Sequence, residues 1–329
     1  MGALAPSLAA VRVAVRRSLS QVQVPGGLVL VGCSGGADSL ALAAATAFVA
    51  PRLDLRAGLV TVDHRLQPGS SERAADVAAW ARDTGFDPVE VVAVEVAGRP
   101  GGPEAAAREA RYEALVDAAR RHEAVALLVG HTKDDQAETV LLALARGAGP
   151  RGLAGMSPRG SVGGVPLLRP LLRVSRAQTQ EACAVLGLRP WQDPHNTDPA
   201  YLRARVRSTV LPAMVAALGP DVVDNLARTA ELLAADTAAL DALAAQATPA
   251  TRNPDGSRSV PALAELPAAV RTRILHAWAR ELGAPGGALA HRHVAALDAL
   301  VVAWRGQGPV HLPGGIRVAR RGDRLARMP

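Results

Sequence analysis

The sequence predicts an α/β protein: a doubly wound parallel sheet, followed by a smaller, mainly helical domain that ends in a β-hairpin. Three observations carry this. Short apolar runs alternate with helical patterns of ten or more residues through the first half of the chain. After about position 215 the texture changes to alanine-rich helix, and near the end Pro313-Gly-Gly315 separates two short strand-like runs. The chain has 329 residues, 49% apolar and only 2% aromatic, so two cores are expected, built mainly from Ala, Val and Leu.

Taken in order, MGALAPSLAAVRVAVRRSLSQ alternates apolar positions with Arg12, Arg16 and Arg17, which predicts a surface helix. A secretory leader places its charges before the apolar run. No apolar run approaches the roughly 20 residues that span a bilayer, so no membrane partner and a cytoplasmic location are expected. Residues 27–32 (GLVLVG) read as a buried parallel strand, with a helix following through 39–48. The alternation continues with strand 57–64, helix 72–84, strand 88–96, helix 103–122, strand 124–131 and a helix from near Asp134. The Gly-, Pro- and Arg-rich stretches 147–152 and 158–164 read as loops, and a helix is expected near 175–187. The segment 191–212 closes this domain. The domains are placed at 1–215 and 216–329, with helix 221–247, a polar break at 251–257 and the terminal hairpin in the second.

Two cysteines, Cys33 and Cys183, exclude a disulfide framework and multi-cysteine metal sites. The net charge of +7 favours a polyanionic partner, nucleic acid first. Lys133 is the only lysine, so part of that charge reflects an arginine-rich composition.

The segment Ser34-Gly-Gly-Ala-Asp-Ser39 sits directly after a predicted strand and before a helix. Gly35 and Gly36 let successive N–H groups curl toward an anion, Ser34 and Ser39 add hydroxyls, and the helix N-terminus adds partial positive charge. Neither the lysine of a Walker loop nor a dinucleotide G-x-G-x-x-G is present. An ordinary turn with Asp38 as cap reads the same residues differently. Asp63 and His64 fall at the next strand end, where open α/β sheets bind ligands; a strand-end Asx turn is the other reading of Asp63.

His131-Thr-Lys-Asp-Asp-Gln-Ala-Glu-Thr139 forms the third element of this rim. Asp134, Asp135 and Glu138 are spaced to share one side of a helix start. One acid suffices for capping; three, with His131, suggest a pocket for Mg²⁺, a substrate ammonium, or both. Lys133 reads as a solvated side chain. Arg108 and Arg111 lie on one face of a helix next to Tyr112, and Arg203, Arg205 and Arg207 follow Tyr201. Arginine beside an aromatic ring suits phosphates and unstacked bases, and salt-bridged helix faces carry the same pattern.

SGGADS resembles the pyrophosphate (PP) loop of the N-type ATP pyrophosphatases, with their adenine nucleotide alpha hydrolase-like fold. HTKDDQAET is similar to the H-x-x-D-D-x-x-E-T motif of one branch, the bacterial tRNA(Ile)-lysidine synthetases. DHRLQPGSSE, PEAAAREARYEAL, RGAGPRGLAGM, LRPLL and WQDPHNTDPAYLRARVRSTVLP match in the same order, covering roughly 25–215. The resemblance implies that ATP adenylates C2 of the wobble cytidine in the CAU anticodon of tRNA(Ile), releasing pyrophosphate. Free L-lysine then displaces AMP to give lysidine. It also implies ATP contacts in the loop, at Ser34, Gly35, Gly36, Ala37, Asp38 and Ser39, while Asp63 and His64 are read as ATP contacts from their place at the strand end. Lysine contacts fall at Asp134, Asp135 and Glu138, and tRNA or adenylate contacts at Arg108, Arg111, Arg203, Arg205 and Arg207. Asp38, His131 and Asp135 are the catalytic candidates, with Mg²⁺ expected alongside ATP. The oligomeric state stays open, a homodimer included.

A tRNA thiolase of the same superfamily is the nearest rival, and two cysteines that read as buried hydrophobes argue against it. A covalent nucleic-acid ligase needs lysine followed by x-Asp-Gly, which Lys133-Asp-Asp does not supply. A non-catalytic ATP- or RNA-binding module leaves the acids at 134–138 without purpose.

Overall fold

The computed structural model describes residues 5–65, 67, 69–96, 102–191, 198 and 201–329. It falls into two compact units, residues 1–233 and 234–329. In the first, α1 (Pro6–Leu19) is the expected N-terminal helix. The four expected strands are β1 (Leu28–Gly32), β2 (Arg56–Asp63), β3 (Val89–Ala93) and β4 (Ala126–Val129). The helices between them are α2 (Ala37–Val49), α3 (Ser70–Asp83) and α4 (Pro103–Arg121). After β4 come α5 (Lys133–Ala145), the single turn α6 (Pro150–Leu153) and α7 (Arg176–Val185).

Two further strands follow, β5 (Arg159–Val162) in a stretch expected to be loop and β6 (Val165–Leu168) directly after it. Gly163 and Gly164 both have positive φ, 55° and 81°, so they make the two-residue turn that a right-twisted hairpin needs. The strand order is β3-β2-β1-β4-β6-β5, parallel except for the antiparallel edge pair β5–β6. The predicted doubly wound sheet is therefore present, with one added antiparallel edge.

Alternate residues of β1 serve opposite cores. Val29 and Val31 pack with Val11, Val15, Leu40 and Leu42 of α1 and α2, while Leu28 and Leu30 pack with Leu115, Ala118 and Ala119 of α4. A strand buried on both faces must be apolar throughout, which is why β1 reads as an unbroken run. The chain winds outward from β1 to β3 and then crosses back to β4, so the topological switch lies between β1 and β4. The loops leaving those two strands are SGGADS and His131–Asp135.

Beyond α7, α8 (Leu202–Arg205), a π-helical turn Val206–Val210 and α9 (Leu211–Leu218) run on as one helical stretch. Val206 and Leu211 pack on Ala137 of α5, which sets the arginines of 203–207 against the acids of α5. Helix α10 (Val222–Thr251) follows. Lys133, expected to be solvated, instead sets its Nζ 2.5 Å from Asp224 and is mostly covered.

The second unit packs α11 (Val260–Ala264), α12 (Ala268–Glu281) and α13 (His291–Val302) against an antiparallel sheet around the buried Trp278. Its strands are β7 (Arg258–Ser259), β8 (Val310–Leu312), β9 (Ile316–Arg321) and β10 (Arg324–Arg327), in the order β7-β10-β9-β8. The expected hairpin at Pro313–Gly315 joins β8 to β9, and the sheet extends beyond it by two strands. Among the described residues no single helix is long and apolar enough to cross a membrane.

Candidate active site

The loop after β1 folds on itself through its two serines. The Ser34 N–H donates to Ser39 Oγ at 3.2 Å, and Ser39 Oγ donates to the Gly36 carbonyl at 3.0 Å. Gly35 has φ +83°, and a Cβ there would lie 3.0 Å from Val77 Cγ2, so both backbone and space require glycine. Gly36 is the N-cap of α2 and no side chain caps the helix. Asp38 therefore does not act as the cap that an ordinary turn would use, and the first amides of α2 have no side-chain cap. From the far side the Trp191 N–H donates to the Gly35 carbonyl at 2.9 Å, and the Arg73 guanidinium stacks 4.1 Å from the Trp191 ring.

The switch point brings β4 hard against this loop. A Cβ on Gly130 would sit 3.0 Å from the Asp38 carbonyl carbon and oxygen. Asp38 accepts a hydrogen bond from Thr179 Oγ1, and Arg176 Nε lies 3.6 Å from its Oδ2. Burial pushes its carboxyl up to about 6, aided by the Asp135 charge and opposed by Thr179, Arg176 and Arg207.

The acids of α5 do not stand as an open cation pocket. Thr132 and Asp135 form a reciprocal capping box, with the Thr132 N–H donating to Asp135 Oδ2 at 2.8 Å. Asp135 Oδ1 receives Arg207 Nη2 at 3.0 Å and Arg176 Nη2 at 3.2 Å. Glu138, fully buried, receives Arg207 Nε at 2.7 Å, Arg203 Nε at 2.9 Å and Arg176 Nη2 at 3.2 Å. Three guanidinium groups thus face two carboxylates. Burial pushes the Asp135 carboxyl up, but Arg176 and Arg203 outweigh it and hold it below the usual range. Asp134 is turned away to the start of α7, where it accepts the Arg176 N–H at 2.7 Å. The expectation that Asp134, Asp135 and Glu138 share one side is corrected: two converge and the third caps a neighbouring helix.

His131 is held neutral. Burial drives its imidazole down to about 3, against the pull of Asp135, with Arg111, Arg169 and Arg108 adding to the shift. Its Nδ1 is buried without a hydrogen-bond partner. Asp63 is used locally: its Oδ1 takes the Arg65 N–H at 2.9 Å and its Oδ2 the Ser71 hydroxyl at 2.7 Å. That is the Asx-turn reading, and it ties β2 to α3, leaving neighbouring His64 half-buried on the rim. Arg108 and Arg111 both lie against the Tyr112 ring, at 5.1 and 5.5 Å. Arg205 is exposed on the side of its helix away from Arg203 and Arg207. Of the segment WQDPHNTDPA, residues 192–197, 199 and 200 lie outside the described residues.

A model of the PP-loop domain matches residues 11–214, and one of the TilS substrate binding domain matches residues 259–326. The chain is 69% identical to the tRNA(Ile)-lysidine synthase of Salinispora tropica, over 99% of this chain and 97% of that one. This chain belongs to the tRNA(Ile)-lysidine synthase family. The Streptomyces coelicolor member is 52% identical, with 97% of each chain covered. Among solved structures, the U34-tRNA thiolase NcsA from Methanococcus maripaludis shares the fold, with a TM-score of 0.55 at 19% identity over 69% of this chain and 80% of that chain. Membership makes this a PP-loop, ATP-binding, tRNA-modifying ligase.

For this family member, sequence reasoning missed Arg176 and Thr179, the α7 residues that join the loop after β1 to the acids of α5. The signal was there in Ser175, which caps α7 in a capping box with Gln178. A helix that starts next to Asp134 delivers its first residues to the site. Trp191 and Arg73 were likewise not singled out.

Proposed function

We propose that this protein ligates free L-lysine to C2 of the wobble cytidine of tRNA(Ile) with a CAU anticodon, through an adenylated cytidine. Pyrophosphate leaves first and AMP second. The observation that carries the reading is the juxtaposition, across the β1–β4 switch, of an uncapped helix N-terminus with a buried acid–arginine cluster. The first suits a leaving pyrophosphate, whose charge the α2 amides and loop would stabilise. The second stores three guanidinium groups beside the same point.

In this reading Ser34 to Ser39 hold the ATP phosphates, and His64 lies on the same rim. Asp63 acts by fixing the α3 side of the site. When ATP binds, Arg176 and Arg207 shift part of their contact from Asp135 to phosphate oxygens. Asp135, the less buried of the two acids, then receives the substrate ammonium and takes a proton as the amine attacks. Glu138 keeps Arg203 in place. Neutral His131 serves as a hydrogen-bond partner rather than a charged acid. Arg108, Arg111 and Arg205 face the RNA.

Among the described residues no three His, Cys, Asp or Glu side chains are grouped as a metal site. Mg²⁺ fits here as a companion of ATP, with Asp38 as the protein carboxylate beside the phosphates, since Mg²⁺ keeps most of its waters. A thiolase would need reactive sulfur. Cys33 is fully buried with its thiol pushed up, and burial drives Cys183 up to about 11, so both stay protonated. The cytoplasm is the proposed compartment.

Labelled lysine offered with ATP and a tRNA(Ile) transcript tests this. Incorporation that requires ATP and disappears when the wobble cytidine becomes uridine supports the ligation. ATP binding with no incorporation into the CAU transcript overturns it.

A further inference from the structure

On the outer side of α1 and α2, two arginines grip one phenyl ring. The Arg12 guanidinium carbon lies 3.6 Å from the Phe48 ring centroid and that of Arg52 lies 3.7 Å from it. Two guanidinium groups that close to one centroid must occupy its opposite faces. Arg52 also donates through Nη1 to the Phe48 carbonyl at 2.5 Å, as a basic residue after a helix end commonly does. That role needs one cation. The second is placed at an electrostatic cost: burial and the Arg52 charge both lower the Arg12 pKa. Its Nε is buried with no hydrogen-bond partner.

One turn along α1, exposed Arg16 borders the same hollow of about 210 Å³, whose walls include Ala9, Val13 and Leu53. Among the described residues none of Arg12, Arg16 and Arg52 has an ion-pair partner. At Glu138, by contrast, Arg176, Arg203 and Arg207 are all tied to acids. Stacking fixes the Arg12 and Arg52 planes in advance, which lowers the ordering cost of a bidentate contact to phosphate. Phe48 lies eleven residues beyond Ala37 at the start of α2, so this surface is roughly 16 Å along the helix from the loop after β1.

We infer that Arg12, Arg16 and Arg52 form a second, sequence-independent contact surface for the phosphodiester backbone of the tRNA substrate, outside the reaction centre. The alternating charge of the first helix, left over by the catalytic reading, finds its use here. Phosphate contacts position an RNA without reading its sequence, so this surface adds grip while the rim supplies selection.

The inference rests on tRNA being the substrate, and lysine incorporation by the parent protein tests that separately. Arg12→Gln, Arg16→Gln and Arg52→Gln are compared with the parent for tRNA binding across a salt series. Each phosphate contact removed should reduce the slope of log K against log salt by about 1, equally for cognate and non-cognate tRNA. Melting curves qualify each variant. Should the stacked pair unfold on substitution, Arg16→Gln carries the test, because Arg16 is exposed and outside the stacked pair. A parental slope in the folded variants overturns the inference, and an acidic protein partner would leave that result.

Discussion

The Arg207 guanidinium lies across the Glu138 carboxylate, Nε to Oε1 at 2.7 Å and Nη2 to Oε2 at 3.1 Å. This is the bidentate geometry of a strong charge-assisted pair, and it occurs at a carboxylate with no solvent exposure. Arg203 and Arg176 complete the shell. The pair joins α5 to the π-helical turn after α8, so Glu138 holds two elements together as well as facing the site.

Glu138→Ala should therefore destabilise the first unit by about 2–4 kcal/mol, because it removes the buried carboxylate that three partly buried guanidinium groups share. A residue that served only to bind lysine would raise KM for lysine and leave the melting temperature alone. Thermal or urea unfolding separates the two, and a parental melting curve would show that the cluster is dispensable for folding.

Arg203 and Arg205 give a matched pair. Arg203 points inward to Glu138 at 2.9 Å, while Arg205 is exposed two residues along. Arg203→Gln should lower stability by about 1–3 kcal/mol, as loss of a hydrogen bond to a buried charge does. Arg205→Gln, on the exposed side, should cost less stability than Arg203→Gln and reduce the salt slope of tRNA binding by about 1. Equal effects of both on stability would contradict the division of faces.

The sheet and the loop after β1 were legible because their signals are local. An unbroken apolar run means a strand covered on both faces, and two glycines between strand and helix mean a tight backbone curl. The hairpin at Val162-Gly-Gly-Val165 was legible too, since Gly-Gly between valines is a turn signal, but the surrounding Gly, Pro and Arg drew it into a loop. The acid cluster was harder. Spacing on α5 gives the side of the helix but not what faces it, and the facing arginines come from positions 176, 203 and 207. Asp134 illustrates the limit: it has the spacing of its neighbours, yet the start of α7 claims it. That contact is set by tertiary packing, which no window along the chain contains.

Asp38 offers a test by pH. Its carboxyl is raised to about 6 from an ordinary 3.8, first by burial. The folded state therefore holds the proton more tightly than the unfolded chain. Stability from that proton is full below the unfolded value and is lost as pH rises through the folded one. Asp38→Asn removes the ionisation, so its advantage over the parent should grow by about 2–3 kcal/mol between pH 4 and pH 7. Melting temperatures across that range measure it. A difference that does not change with pH would place Asp38 at the ordinary carboxylate value.

Gly130 links the two halves of the site by close approach alone. Its missing Cβ would meet the Asp38 backbone at 3.0 Å, and neither β4, paired to β1, nor the first turn of α2 is free to yield. Gly130→Ala must push the start of α2 away from the sheet, at a cost of about 1–3 kcal/mol. The displaced helix carries the loop after β1 with it, so ATP affinity should fall, while the salt slope of tRNA binding keeps its parental value. Isothermal titration with ATP, alongside the salt series, checks both. Unaltered ATP affinity in the folded variant would mean that the loop does not depend on this contact, and that β4 positions His131 and Asp135 without also positioning it.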